Sequence, residues 1–301
     1  MLQKSSPKMK YLVVVILLLT LGLSYASADC IMYDECSRSP TDNPINCRYN
    51  GPAKPLNNQK SLSLLRSFCP EIASGSSGDV VTCCSERQIE TLSIQMDRAG
   101  LLLRRCPACW KNFRSMFCNM ACSPNQSLYL QATSFDESVN TVTSVNYNIS
   151  SNFAHTFFNS CKGVSHGNGK AISAMCGSVS VESCTVKDVF KFLGSPAENP
   201  YAPFDIKFSL EDQCFTIDGK MHCPMNESSV QCHLGDRERG VAACSCSDCQ
   251  AVCPKNQTLQ TIRNPGRCWN RRLVHCHGCH LRLILSRLRR LEHLFLCSNA
   301  P

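Results

Sequence analysis

Residues 83–124 read CCSERQIETLSIQMDRAGLLLRRCPACWKNFRSMFCNMACSP, and the fold turns on this stretch. Ile89, Leu92, Met96, Ala99 and Leu103 recur at three- and four-residue spacing, which predicts an amphipathic helix from Ser85. Pro107 suits the first turn of a second helix reaching Cys122, with Phe113, Met116, Phe117 and Met120 as its apolar stripe. Cys118 and Cys122 stand four apart and so share one helical face. Adjacent cysteines do not readily pair with each other, so Cys83 and Cys84 tie two different segments to the first helix. Sulfur bolts this helical pair to its surroundings.

Working outward, residues 29–82 read as loops and turns with short ordered pieces, broken at Asn50-Gly51-Pro52 and at Gly75 to Gly78, with a short helix over 60–68. Residues 123–150 are polar and β-branched and predict loop with short strands. Ser151 to Cys161 predicts a helix, Lys170 to Met175 a shorter one, and Val186, Val189, Phe190 and Leu193 another after Thr185. Phe204 to Phe208 alternates strictly and predicts a strand with one face buried. Residues 210–260 are Cys-rich and predict loops. The fold class is α+β, in one domain from 29 to 255.

The ends differ from this body. Lys4, Lys8 and Lys10, the apolar run Leu12 to Leu23 and the small residues Ala26-Ser27-Ala28 make residues 1–28 a cleavable signal peptide. The apolar run is shorter than the roughly 20 residues a bilayer span needs, and no later stretch reaches that length. Residues 256–301 form a divergent, Arg-rich tail, expected to be disordered. Within it LRLILSRLRRLEHLFL has the pattern of a basic amphipathic helix, and His275, Cys276, Cys279 and His280 have the composition of a metal cluster. The formal charge of +8 comes from these ends, because residues 29–260 carry 20 Lys and Arg against 22 Asp and Glu. The basic balance therefore gives no ground for nucleic-acid binding by the body.

The chain has 24 cysteines, twenty of them between Cys30 and Cys253. Behind a signal peptide, that density reads as a disulfide scaffold in an oxidising compartment, secreted or endolysosomal. Sequons at Asn125, Asn148, Asn226 and Asn256 fit passage through the secretory pathway as glycosylation sites. Cys106-x-x-Cys109, Cys246-x-x-Cys249 and Cys276-x-x-Cys279 are also compatible with zinc or thiol–disulfide chemistry, but the oxidising setting favours structural bridges. The body's histidines (His155, His166, His222 and His233) sit in no hydrolase or zinc-protease motif, and Gly169-Lys170 lacks P-loop spacing. The expectation is a binding protein with no enzymatic activity, no cofactor and no metal.

Ser85 and Gln88 have the spacing of a capping box, in which the glutamine amide reaches back to the cap N–H. The same amide at a helix start is also placed to meet a ligand hydroxyl. Spacing alone favours the cap, and it makes Asn46, before Cys47, a turn residue.

Cys30-Ile-Met-Tyr-Asp-Glu-Cys36, Asn46-Cys47-Arg-Tyr-Asn-Gly-Pro-Ala-Lys-Pro55 and Cys83-Cys84-x-x-x-Gln88 together resemble the N-terminal lumenal domain of the Niemann–Pick type C cholesterol transporters, the large membrane members. The likeness continues through Cys106-Pro-Ala-Cys109, Phe117-Cys118-x-x-x-Cys122-Ser-Pro124, Ala202-Pro-Phe204 and Cys244-Ser-Cys246-Ser-Asp-Cys249-x-x-x-Cys253. It implies a disulfide-rich mixed helix/sheet fold like that of folate- and riboflavin-binding proteins, around a deep pocket for one sterol. It implies the pairs Cys30–Cys83, Cys36–Cys47, Cys69–Cys118, Cys84–Cys122, Cys106–Cys244, Cys109–Cys161, Cys176–Cys184, Cys232–Cys249 and Cys246–Cys253. Cys214 and Cys223 are left to pair with each other.

By the same resemblance Asn46 and Gln88 hold the sterol 3β-hydroxyl, which reverses the reading from spacing. Met32, Glu35, Thr91, Leu92, Trp110, Phe117, Pro203, Phe204 and Ile206 form the pocket wall. Ala174 and Met175 stand where some members expose a leucine pair that receives sterol from the small soluble carrier of the same disease name. Family members continue into many membrane spans, whereas this chain diverges after Asn256 and is expected to be a truncated form. A cysteine-rich binder of a vitamin-like ligand and a thiol–disulfide enzyme are the rival readings. Only Trp110 and Trp269 are available to stack on a polar ring, which argues against the first.

Overall fold

A computed structural model describes residues 28–74, 79–217 and 219–254. Its centre is the helical pair α2 (Glu86–Leu103) and α3 (Pro107–Cys122), preceded by α1 (Gln59–Phe68). Ser85 caps α2 in a full capping box, and Pro107 occupies the first turn of α3. One face of α2 is buried through Gln88, Ile89, Leu92, Met96 and Leu103, while α3 buries most of its circumference, polar Asn112, Ser115 and Asn119 included.

A five-stranded sheet flanks the helices. Strands β1 (Cys30–Arg38) and β2 (Pro44–Gly51) form an antiparallel hairpin whose register shifts between Cys30 and Met32, between Met32 and Glu35, and between Glu35 and Ser37. Strands β3 (Leu130–Asp136) and β4 (Thr141–Ile149) form a second hairpin. Thr141 joins it to the first by pairing with Cys47, and β5 (Asp205–Leu210) runs parallel to β4. Helices α4 (Ser151–Lys162) and α5 (Val186–Gly194) complete the body. Gly194 lets α5 end directly against β5, because a Cβ there would lie 2.0 Å from the Ile206 carbonyl oxygen.

The core is a relay of rings. Phe113 meets Phe157, Phe157 meets Phe190, Phe190 meets Phe208 and Phe208 meets Tyr147, with centroids 6.3, 5.9, 4.9 and 5.6 Å apart. These distances suit tilted and edge-on contacts, which add to the apolar burial. The Tyr147 hydroxyl donates to the Met116 carbonyl at 2.9 Å, so the one polar atom of that buried ring is satisfied.

Ten disulfides cross this body: 30–83, 36–47, 69–118, 84–122, 106–244, 109–161, 176–184, 214–223, 232–249 and 246–253. Nine of these are the pairs that the resemblance implies, and the tenth joins Cys214 and Cys223, the two cysteines it left over. Cys106 and Cys109 pair with Cys244 and Cys161, not with each other. A dithiol exchange centre needs its two sulfurs joined within the motif, so this motif is a pair of separate staples. The Cys276-x-x-Cys279 motif and the histidines beside it lie outside the described residues.

Three expectations need correction. Residues 29–82 hold a full hairpin, hidden in the sequence because register shifts and cysteines break its alternation. Residues 123–150 hold two long strands, one of them, β4, buried on both faces and therefore without a polar-apolar alternation. Among the sequons, Asn125 and Asn226 are exposed and Asn256 lies outside the described residues. Asn148 is buried in β4 with its side-chain oxygen accepting from Ser209. A sequon records a chemical preference and not exposure.

The loop-rich end of the body is held by Asn112, which is fully buried. It donates to the Val230 carbonyl at 2.9 Å and to Ser160 at 3.1 Å, and it accepts from the Val230 N–H at 2.8 Å. Asn112→Ala strands both backbone groups of Val230, and a loss of about 2–4 kcal/mol is expected in denaturant unfolding of the oxidised protein.

Candidate functional site

A cavity of about 290 Å³ lies between α2, α3 and the first hairpin, a size at the lower edge of small-ligand sites. From α2 it takes Gln88, Thr91, Leu92, Gln95, Met96, Ala99 and Leu102, residues three or four apart on one face. From α3 it takes Phe113, Phe117, Met120 and Ala121. Met32, Glu35 and Asn46 close it from the hairpin, and Leu193, Pro203, Phe204 and Ile206 from the segment joining α5 to β5. Among the lining residues Arg98, Ala174, Pro200 and Tyr201 are exposed, which sets the mouth on their side. The Arg98 guanidinium lies 5.8 Å from the centre of the Tyr201 ring there.

The polar end is built around Gln88, only 5% exposed. Its Oε1 accepts from the Ser85 N–H at 2.8 Å and from the Asp34 N–H at 2.6 Å. Two backbone donors on that atom fix the amide's orientation, because the reversed amide would aim N–H at N–H. Nε2 is then turned the other way, buried and without a hydrogen-bond partner among the described residues. Asn46 donates from Nδ2 to the Met32 sulfur at 3.0 Å, and Thr91 donates to Glu35 Oε1 at 2.7 Å. At this end Gln88 therefore keeps a spare, buried N–H and Asn46 an acceptor on Oδ1, beside the polar pair of Thr91 and Glu35.

Asp34 holds this geometry from outside the cavity. Its backbone is left-handed at φ 71°, a conformation that aspartate tolerates better than most residues, and this turns its N–H toward Gln88. Its carboxylate accepts from Ser85 Oγ at 2.8 Å and from Arg87 through two bonds of 3.1 and 2.8 Å. Burial alone would push this carboxyl up. The bonds from Arg87 and Ser85 and the nearby positive charge outweigh it and hold the group below its ordinary value. Three disulfides converge on the same end: Cys30–Cys83, Cys36–Cys47 beside Asn46, and Cys84–Cys122, which joins the start of α2 to the end of α3.

Of the residues singled out from the sequence, Met32, Glu35, Asn46, Gln88, Thr91, Leu92, Phe117, Pro203, Phe204 and Ile206 line this cavity, and Trp110 does not. Trp110 sits one turn before Phe113 on α3, and its ring stacks on that of Phe113 at 6.1 Å, beyond the cavity's end. Ala174 is exposed at the rim, but Met175 is buried and turned inward, so the two do not form an exposed pair. The short helical turn Ala171–Met175 carries them, and consecutive residues on such a turn point different ways. Gln95, Ala99 and Leu102 were missed, although stepping by three and four from Gln88 reaches each of them. Tyr201 and Phe192 carry no comparable sequence signal.

A family model described as the Niemann-Pick C1 N terminus matches residues 27–273. The chain is 32% identical over 254 residues to NPC intracellular cholesterol transporter 1 of Sus scrofa, covering 81% of this chain and 19% of that protein. It is 31% identical over 238 residues to NPC1-like intracellular cholesterol transporter 1 of Homo sapiens, covering 75% and 17%. With the Caenorhabditis elegans NPC intracellular cholesterol transporter 1 homolog 1 the identity is 29% over 258 residues, covering 80% and 18%. The chain thus spans about a fifth of the length of these curated relatives. No helix among the described residues is long and apolar enough to cross a membrane.

Because the folded value of Asp34 is depressed, its contribution to stability is present above the unfolded carboxylate value and fades as the pH falls through the folded one, below 3.8. Asp34→Asn, which tolerates the left-handed backbone, is expected to melt below the parent by a similar margin at about pH 7 and pH 5. The gap should narrow as the pH is taken below 3.8, as thermal scans at about pH 7, about pH 5 and below 3.8 will test.

Proposed function

This chain belongs to the Niemann-Pick C1 N-terminal family, and on that premise we propose that its cavity captures a sterol, hydroxyl end inward, as one step in sterol transport. The observation that carries the reading is the buried, unpartnered Nε2 of Gln88 at one end of an apolar cavity. A hydroxyl is both acceptor and donor, so it accepts from Gln88 Nε2 and donates to Asn46 Oδ1. A buried N–H left without an acceptor costs about 1–3 kcal/mol, and the ligand oxygen removes that cost on binding.

Affinity then comes from the rings. A sterol burying several hundred Å² gains on the order of 10 kcal/mol gross from apolar contact. The two amides contribute selectivity: a ketone cannot donate to Asn46, and an ester has no hydroxyl to offer either group. Disulfides on three sides of the polar end keep both amides in place before the ligand arrives, which lowers the ordering cost of binding. The role is binding and not catalysis, with no cofactor.

The aromatic lining favours this over a vitamin-like ligand. Among the described residues Phe113, Phe117, Phe192, Phe204 and Tyr201 line the cavity, no tryptophan does, and the one cationic lining residue, Arg98, lies at the mouth. A flat heterocycle would find no stacking indole there, and an anionic one no inner counter-charge. The proposal extends to an exported, oxidising and endolysosomal or secreted setting, to a likeness of fold with folate- and riboflavin-binding proteins, and to sterol exchange with a small soluble carrier at the Ala174 rim.

Gln88→Glu keeps an oxygen for both backbone donors and exchanges the spare N–H for a charged carboxylate oxygen, which cannot donate. It is expected to weaken radiolabelled cholesterol binding at least about tenfold, close to 1.4 kcal/mol, without lowering the melting temperature. Asn46→Ala should weaken it in the same direction, and cholesteryl ester and the 3-ketone should compete poorly. Unchanged affinity in both variants would remove the amides from this role.

A further inference from the structure

A second pocket, of about 310 Å³, lies on the other side of Met96 from the cavity described above, and Met96 lines both. It is chemically unlike the first. Arg104, Arg114 and Asp97 bring charge to it, and Trp110, Phe68 and Leu64 supply apolar surface. The Arg104 guanidinium lies 5.0 Å from the centre of the Trp110 ring and the Arg114 guanidinium 5.8 Å from it, so two positive charges converge on one indole.

The two arginines are not equally satisfied. Arg104 is exposed and paired with Asp97 at 2.6 Å. Arg114 is half-buried and forms no ion pair among the described residues. Its Nη1 makes one long bond to the Ser67 carbonyl, at 3.4 Å, and its Nε is buried with no partner among the described residues. Burial pushes this guanidinium down, Arg104 adds to that effect, and Glu71 opposes it without reaching it. A half-buried cation with an empty N–H is a costly arrangement for the domain alone, and a planar fork of donors fits an oxyanion.

We propose that the Arg104–Trp110–Arg114 pocket binds a phosphate group, either as the free ion or as the headgroup of an acidic lipid. Two guanidiniums suit the two negative charges of a phosphate monoester, with the terminal nitrogens of Arg104 and Arg114 donating to its oxygens. Asp97 competes for Arg104, so binding exchanges an exposed ion pair for a phosphate contact. Trp110, Leu64 and Phe68 then give an acyl or glycerol portion an apolar floor, which distinguishes the lipid source from the free ion.

The test uses the full chain carrying Trp269→Phe, which leaves Trp110 as the single tryptophan. Its emission is titrated with inorganic phosphate, with dihexanoylphosphatidic acid below its micelle concentration, and with sodium chloride at matched ionic strength. A saturable change with a phosphate probe and none with chloride is expected. Arg114→Gln should weaken it at least about tenfold, and Asp97→Asn, which frees Arg104, should tighten it several-fold. Saturation at lower concentration by the phosphatidic acid assigns the site to a lipid headgroup, and equal saturation assigns it to phosphate itself. Should Arg114→Gln fail to fold, Arg104→Gln, on an exposed side chain, carries the same expectation of weaker binding. A response that matches chloride, or one left unchanged by these substitutions, overturns the proposal.

Discussion

The site depends on one side-chain oxygen. Gln88 Oε1 takes two backbone N–H groups, one from the cap of its own helix and one from the left-handed turn at Asp34. Through that atom the edge hairpin and helix α2 share a fixed point, and neither can shift without leaving a buried donor bare. The opposite end of the same amide is thereby committed. Capping and the ligand reading proposed for Gln88, which look like alternatives at the level of spacing, are compatible because they use opposite ends of one planar group.

Around that fixed point the fold separates rigid from yielding parts. The relay of rings from Phe113 to Tyr147 packs α3, α4, α5 and the sheet into a solid half. The cavity half has no such filling, and covalent bridges at its polar end take the place of packed side chains. Disulfides stabilise mainly by restricting the unfolded chain, so they support a hollow without having to occupy it. The lining includes Met32, Met96, Met120 and Met175, unbranched side chains that fit irregular shapes.

Much of this was legible in the sequence where local chemistry speaks. The helices beginning at Ser85, Pro107, Ser151 and Val186 announce themselves by caps and periodicity, and α2 shows most of its cavity face in the same spacing. The hairpin from Cys30 to Gly51 does not, because its pairing slips at three places and its cysteines serve bridges and not a face. The family resemblance puts Trp110 in the pocket wall, yet a matched position does not say where along α3 the cavity stops. Met175 and Asn148 failed for a related reason: burial is a property of the neighbours, and neither residue's own neighbourhood in sequence reveals them. The spare N–H of Gln88 needed both the cap and the distant Asp34, 54 residues earlier.

The bridge between Cys106 and Cys244 spans 138 residues, the longest separation of the ten. At translation rates of roughly 5–20 residues per second, Cys106 waits on the order of ten seconds before its partner even exists. Throughout that interval Cys109, Cys118 and Cys122 are close at hand on the same nascent helix, and wrong cross-links form readily. Of the ten bridges this one keeps its first cysteine waiting longest, so a chain that stops short of Cys244 leaves Cys106 without its native sulfur.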